Sequence, residues 1–168
     1  MGIIVKFSKT KSNFGYSCNY KNPDAVNKVV KYILRKNGRI NNNGKKESYN
    51  TYGSIGTYHK DVDGIISDFQ KLKAIHGKTN GVQIKHLIVS FPDVHNLKSK
   101  KMNKLIHRVL KFYSQKYQLV YAVHEDTDHL HMHIGINSVS FTGKKFNEQG
   151  AEKRKFETYI NELFKEYI

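Results

Sequence analysis

The run His124-Glu-Asp-Thr-Asp-His-Leu-His-Met-His-Ile-Gly-Ile-Asn137 places four of the chain's nine histidines within ten residues. His129, His131 and His133 recur at every second position, with Leu130, Met132, Ile134 and Ile136 alternating with them. Side chains two apart on a β-strand share a face. Such a strand offers imidazoles on one side and an apolar row to a core on the other. Neutral imidazoles with carboxylates nearby make a metal site. Pairing 118–124 with 130–137 as antiparallel neighbours brings His124 beside His131, with His133 one pleat further on. Three nitrogens from two strands leave coordination positions open, which a catalytic ion needs so that substrate oxygens can enter its shell. His124, His131 and His133 are the expected ligands and His129 is the one left out. Asp126 and Asp128 are candidate acceptors for the far ring nitrogens.

The elements that must hold these side chains are legible as periodicities. Residues 3–7 read as a first strand. Asn22-Pro23-Asp24 supplies an N-cap, a proline in the first turn and an early acid, and Gly38 closes the helix they open. Val26, Val29, Val30, Ile33 and Leu34 form its apolar stripe. Residues 40–60 are polar and aperiodic and read as a long loop. Helices are expected over 61–75, 98–115 and from 151 to the end, and strands over 84–91, 118–124 and 130–139. A short hairpin is expected at 141–146. That order predicts a single α+β domain over 1–168, an antiparallel sheet covered by helices.

Composition narrows the partners. Twenty-nine Lys and Arg against fourteen Asp and Glu leave a net charge of +15. The excess is spread through Lys28–Arg39, Lys98–Lys104 and Lys144–Lys155, as on a folded basic domain that meets a polyanion, nucleic acid first. One cysteine, Cys18, permits no internal disulfide. The chain lacks both an apolar run of membrane-spanning length and a signal-peptide core, so a soluble, cytoplasmic protein without membrane insertion is expected.

The segment His124-x-Asp126-Thr-Asp128-x-Leu-His131-x-His133-Ile-x-Ile-Asn137 resembles the third motif of relaxases, the mobilization nucleases of conjugative and mobilizable plasmids. His131-Met-His133 is similar to the His-hydrophobe-His signature of that superfamily. Val30-Lys31-Tyr32-Ile33 resembles the first relaxase motif, which carries the nucleophilic tyrosine. His86-Leu-Ile-Val-Ser90-Phe-Pro92 resembles the second, whose serine holds DNA beside the nick. The best match is the P-type branch.

This resemblance implies a five-stranded antiparallel sheet with flanking helices. It also implies metal-assisted transesterification on single-stranded or hairpin DNA at an origin of transfer. A tyrosine would become linked to the 5′ phosphate and free a 3′ hydroxyl. Mn²⁺ or Mg²⁺ is the implied ion, and relaxosome accessory proteins and a coupling protein are the implied partners in a bacterial cytoplasm.

The residues themselves bear on these roles. Tyr32 lies off the apolar stripe at roughly 100° per residue, with Lys28 and Arg35 on the same side, and Tyr16 and Tyr20 are alternative nucleophiles. A phenol with a pKa near 10 needs a proton acceptor, and Asp126 or a cluster histidine can serve. Ser90, Lys85, Arg35, Arg39, Lys144 and Lys145 are the candidate DNA contacts. Two rivals stay open. A rolling-circle replication initiator places its tyrosine after the histidines, where Tyr159 and Tyr167 lie. A non-catalytic nucleic-acid-binding module would close its metal site with His129.

Overall fold

The computed structural model describes residues 4–7, 10–12, 15–17, 20–35, 51–91, 99–124, 130–146 and 150–167. In chain order these form β1 (Ile4–Phe7), β2 (Thr10–Ser12), β3 (Gly15–Ser17), α1 (Ala25–Ile33), β4 (Tyr52–Ile55), α2 (Val62–Ile75), β5 (Ile84–Phe91), α3 (Ser99–Ser114), β6 (Tyr117–His124), β7 (Leu130–Ser140) and α4 (Gly150–Lys165). The main sheet has five strands in the order β1-β5-β7-β6-β4, every pair antiparallel. The histidine-bearing β7 is its central strand.

Strand periodicity sorts the side chains into two cores. Leu87, Val89 and Phe91 of β5, Leu119, Tyr121 and Val123 of β6, and Met132, Ile134 and Ile136 of β7 face α3 and α4. Ile84, Val120 and Ala122 face α1 and α2, where Val26, Val29, Val30, Ile33, Ile65, Ile66 and Phe69 pack on them. Helices on both sides explain why β5 and β6 are buried almost without alternation. The histidine side of β7 is therefore an interior surface with a helix over it.

α1 begins later than expected: its N-cap is Asp24, which makes no side-chain cap bond. Asn22 forms the turn before it, its Oδ1 accepting from Asp24 N at 3.0 Å and its carbonyl from Ala25 N at 2.9 Å. It ends at Ile33 rather than near Gly38, because Leu34 leaves helical geometry at φ −90°, ψ 15°. The long-loop reading of 40–60 is corrected at 52–55, which form the edge strand β4 against β6. Gly53, a residue that weakens a strand signal, is matched across the ladder by Tyr121, whose hydroxyl would lie 3.1 Å from a Cβ there. The β2–β3 hairpin was not expected either; it is too short and polar to show a period. α2 starts on Asp61, whose side chain accepts from Gly64 N at 2.8 Å. The hairpin after β7 is present, with Ser140 N bonded to Lys144 O and an isolated bridge between Val139 and Lys145. No helix among the described residues is long and apolar enough to cross a membrane.

Lys73 on α2 is an outlier within this packing. It is 2% exposed, and its Nζ has no hydrogen-bond partner. Burial, with the charge of Lys145 adding to it, pushes the amine down to about 7. The unfolded chain then holds this proton more tightly, so the fold gains stability as pH rises from about 7 toward the ordinary lysine value. The gain is at most about 1.4 kcal/mol per pH unit. Lys73→Met should be more stable than wild type at pH 7, and that advantage should shrink by pH 10 in urea-unfolding curves. An advantage independent of pH would show that the amine is not shifted.

Candidate active site

The sheet register assembles the histidines in rows. Ser90 on β5, His131 on β7 and His124 on β6 stand side by side, since His131 pairs with both of the others. In the next row Ile88, His133 and Ala122 are paired, and in the third His86, Gly135 and Val120. Paired residues share a face, so His86, Ser90, His124, His131 and His133 all lie on the α1/α2 side. Ring nitrogens of His124, His131 and His133 lie within 4.8 Å of one another. His124 and His133 are buried, at 0% and 3% exposure, and His131 is half-buried.

α1 closes over this row at Gly135. A Cβ there would meet Val120 Cγ1 at 2.7 Å and Ile33 Cδ1 at 3.0 Å. The missing side chain is what lets the last turn of α1 rest on β7. Ile33 is fully buried, worth about 1.5–3 kcal/mol. Its carbonyl, one of those that a helix end leaves without an intrahelical partner, lies 3.1 Å from His124 Nε2. A carbonyl only accepts, so Nε2 carries the hydrogen and His124 Nδ1 has the lone pair. An arginine only donates, and Arg35 Nη2 stands 3.4 Å from that Nδ1.

This docking carries Tyr32 over the histidines. Its ring centroid is 5.5 Å from that of His133, 5.8 Å from His86 and 6.4 Å from His124. The Arg35 guanidinium sits 4.6 Å from the Tyr32 centroid on the ring face, a cation–π geometry. Tyr32 is nonetheless 43% exposed, so its phenol is within reach of an incoming strand. Of the alternative tyrosines, Tyr20 has its ring 6.5 Å from His86. Tyr159 and Tyr167 pack on the α3/α4 core, across the sheet from the histidines, which removes the support they lent to a downstream nucleophile.

Burial keeps two of these imidazoles neutral. Burial, and then the charge of His124, pushes His86 down to about 4. His133 is held well below the usual imidazole range by burial first, then by His86, His124, His131 and Arg35. Both are unprotonated at neutral pH, the state in which imidazole binds metal. His133 Nδ1 is 2.8 Å from His86 Nε2, while its buried Nε2 has no hydrogen-bond partner. A buried, unpartnered nitrogen on a neutral imidazole beside two further histidines fits a metal ligand. This donor set suits Mn²⁺ or another transition ion better than Mg²⁺, which prefers oxygen.

The remaining expected contacts are scattered. Lys85 is 5% exposed on the α3/α4 side, its Nζ 5.9 Å from the Phe146 ring centroid. Lys145 Nζ donates to the carbonyls of Asn80 and Val82 at 2.6 and 3.1 Å. Lys144 is exposed, but the hairpin carrying both lysines follows the far end of β7, about 30 Å along the strand from His131. Strand phase explains Lys85, which lies one residue out of step with His86. Arg35 lies at the site, Ser90 is half-buried beside His131, and Arg39, Asp126, Asp128 and His129 fall outside the described residues. Two site residues were missed from sequence. His86 was read only as the start of a motif, although its phase with Ser90 placed it on the same face. Gly135 carried no signal without the register.

The antiparallel sheet thus presents clustered histidines to a tyrosine on the covering helix. Residues 12–168 match the family described as relaxase, MobA/VirD2-like, nuclease domain, and the chain belongs to that family. The chain is similar to "Protein rlx" of Staphylococcus aureus, with 38% identity over 97 residues, 57% of this chain and 30% of the relative. A second Protein rlx of that species is 33% identical over 88 residues, 52% of this chain and 26% of the relative. The "Group II intron-interrupted relaxase LtrB" of Lactococcus lactis subsp. cremoris (strain MG1363) is 36% identical over 80 residues, 46% of this chain and 14% of the relative. The match thus spans under a third of each of these relatives' own length.

Replacing Gly135 tests the docking of α1. Gly135→Ala should lower the unfolding free energy by about 1–3 kcal/mol, as overpacking of a tight contact does, measured by chemical denaturation. Unchanged stability would mean that α1 does not rest on this gap.

Proposed function

We propose that this domain nicks one DNA strand at an origin of transfer, with Tyr32 as nucleophile and a divalent ion held by His124, His131 and His133. The observation that carries the reading is the edge-to-face contact of the half-exposed Tyr32 ring with His133, centroids 5.5 Å apart. That contact sets the ring that bears the phenol directly beside the imidazoles that would hold the ion.

In this reading the Tyr32 oxygen attacks phosphorus and the bond to the 3′ oxygen breaks. The products are a 5′-phosphotyrosyl protein and a free 3′ hydroxyl. The phenolic proton passes to a base near the ring, with Asp126 or a cluster histidine as the candidates, and the leaving oxygen takes up a proton from solvent. Mn²⁺ or Mg²⁺, when bound, supplies charge neutralisation at the nonbridging oxygens and orients the phosphate. Arg35, with its charge on the Tyr32 ring face and beside His124, favours the phenolate and attracts the phosphate. Ser90, next to His131, donates its hydroxyl to the phosphate or an adjacent one. Bond energy kept in the phosphotyrosine allows religation without a nucleotide. In the cell the substrate is single-stranded or hairpin origin DNA, presented with relaxosome accessory proteins and passed to a coupling protein.

The test is a covalent adduct with single-stranded oligonucleotides from the transfer-origin region of its own replicon, in Mn²⁺. Wild type should form it, EDTA should abolish it, and Tyr32→Phe should form none. Alanine at His124, His131 or His133 should slow it by about 10²-fold or more. An adduct that persists in Tyr32→Phe and disappears in Tyr20→Phe would move the nucleophile. Binding without cleavage in any divalent ion would favour a binding module.

Salt dependence separates true phosphate contacts from bystanders. Affinity should fall steeply with salt as counterions are released. Arg35→Ala should reduce the slope of log affinity against log salt by about one. Lys85→Met, and alanine at both Lys144 and Lys145, should leave that slope unchanged.

A further inference from the structure

His86 and His133 are not directly opposed across the β5–β7 ladder; His86 faces Gly135, two residues further along. The His86 ring instead leans along the sheet to its diagonal neighbour. The two rings have centroids 5.0 Å apart at 34°, joined by the 2.8 Å contact between His86 Nε2 and His133 Nδ1. Both residues are buried, at 4% and 3% exposure.

Two neutral imidazoles can place only one hydrogen in that contact, so one ring donates and the other accepts. If His86 donated, His133 would carry its own hydrogen on Nε2. That nitrogen is buried without a hydrogen-bond partner, and an orphaned buried donor costs about 1–3 kcal/mol. It would also be unable to ligate. If His133 donates from Nδ1, its Nε2 keeps a lone pair directed into the cluster. The second arrangement avoids an orphaned hydrogen on His133 and leaves its Nε2 lone pair for an ion, with the hydrogen of His86 on Nδ1.

We propose that His86 is a positioning residue: its Nε2 accepts the Nδ1 hydrogen of His133 and thereby locks His133 in the tautomer whose Nε2 holds the metal. The inference rests on the three-histidine metal site proposed above. His124 is locked in the opposite sense, through Nε2–H to the Ile33 carbonyl, so the two buried ligands offer different ring nitrogens. The acceptor behind a ligating histidine is often a carboxylate or a backbone carbonyl. A neutral imidazole in that place orients the ligand without adding negative charge, so the ion keeps more of its attraction for a phosphate.

The test combines titration with Mn²⁺ alone and nitrogen-15 NMR of the metal-free protein. Wild-type His133 should show the Nδ1–H tautomer, and His86→Leu should lose that preference. His86→Leu should weaken Mn²⁺ binding by about 10–100-fold, as loss of such an outer partner does. His86→Gln, whose carbonyl can accept the same hydrogen, should recover most of it. Wild-type His133 in the Nε2–H tautomer overturns the proposal, whether or not the leucine variant folds. Equal Mn²⁺ affinity in wild type and His86→Leu, with affinity lost in His133→Ala, overturns the role of His86 alone. Wild type that binds no Mn²⁺ overturns the metal site and this proposal together.

Discussion

The arrangement depends on one close approach, the last turn of α1 resting on β7 at Gly135. Any side chain larger than hydrogen there would collide with Ile33 and Val120. The contact does three things through one residue. Ile33 buries its side chain in the α1/α2 core, its carbonyl orients His124, and its neighbour Tyr32 is carried over the rings of His86, His124 and His133. Helix docking, the orientation of His124 and the placement of Tyr32 are thus coupled, and hydrophobic burial drives all three.

The second determinant is where the histidines sit in the layering. With α1 and α2 over one side of the sheet and α3 and α4 over the other, His86, His124 and His133 are buried although they belong to a molecule of net charge +15. Burial keeps His86 and His133 neutral, and neutrality makes their lone pairs available. The overall positive charge favours encounter with nucleic acid over a long range, while the site itself works at short range in a less polar medium. The guanidinium of Arg35, set among the rings, joins the two scales. It is a fixed charge that touches both the Tyr32 ring and His124.

Much of this was legible beforehand, for identifiable reasons. Alternation over 130–136 announced the apolar and histidine faces of β7, and the short connection after His124 implied its pairing with His131, which the register shows. The apolar stripe of α1 placed Tyr32 off the core side, and its ring lies over the cluster. Strong periods in long elements survive folding because one buried face dominates their energy. Short elements do not have that protection. β4 was lost because Gly53 and polar neighbours show no alternation, and β2–β3 because three-residue strands hold less than two full periods.

The sequence by itself determined which chemistry is available: imidazoles in strand phase, a tyrosine on a helix with an arginine three residues on, and an excess of positive charge. Local spacing fixes side-chain direction within one element, so those features needed no partner to be read. Tertiary structure alone decided which residues meet. His86 joins His133 only because β5 and β7 are in this register, and Lys85, one residue away, turns to the other core. Lys144 and Lys145 lie near in charge pattern but far along the strand. Side-chain direction is local, whereas register and helix approach are set by packing between elements distant in the chain, which no single segment encodes.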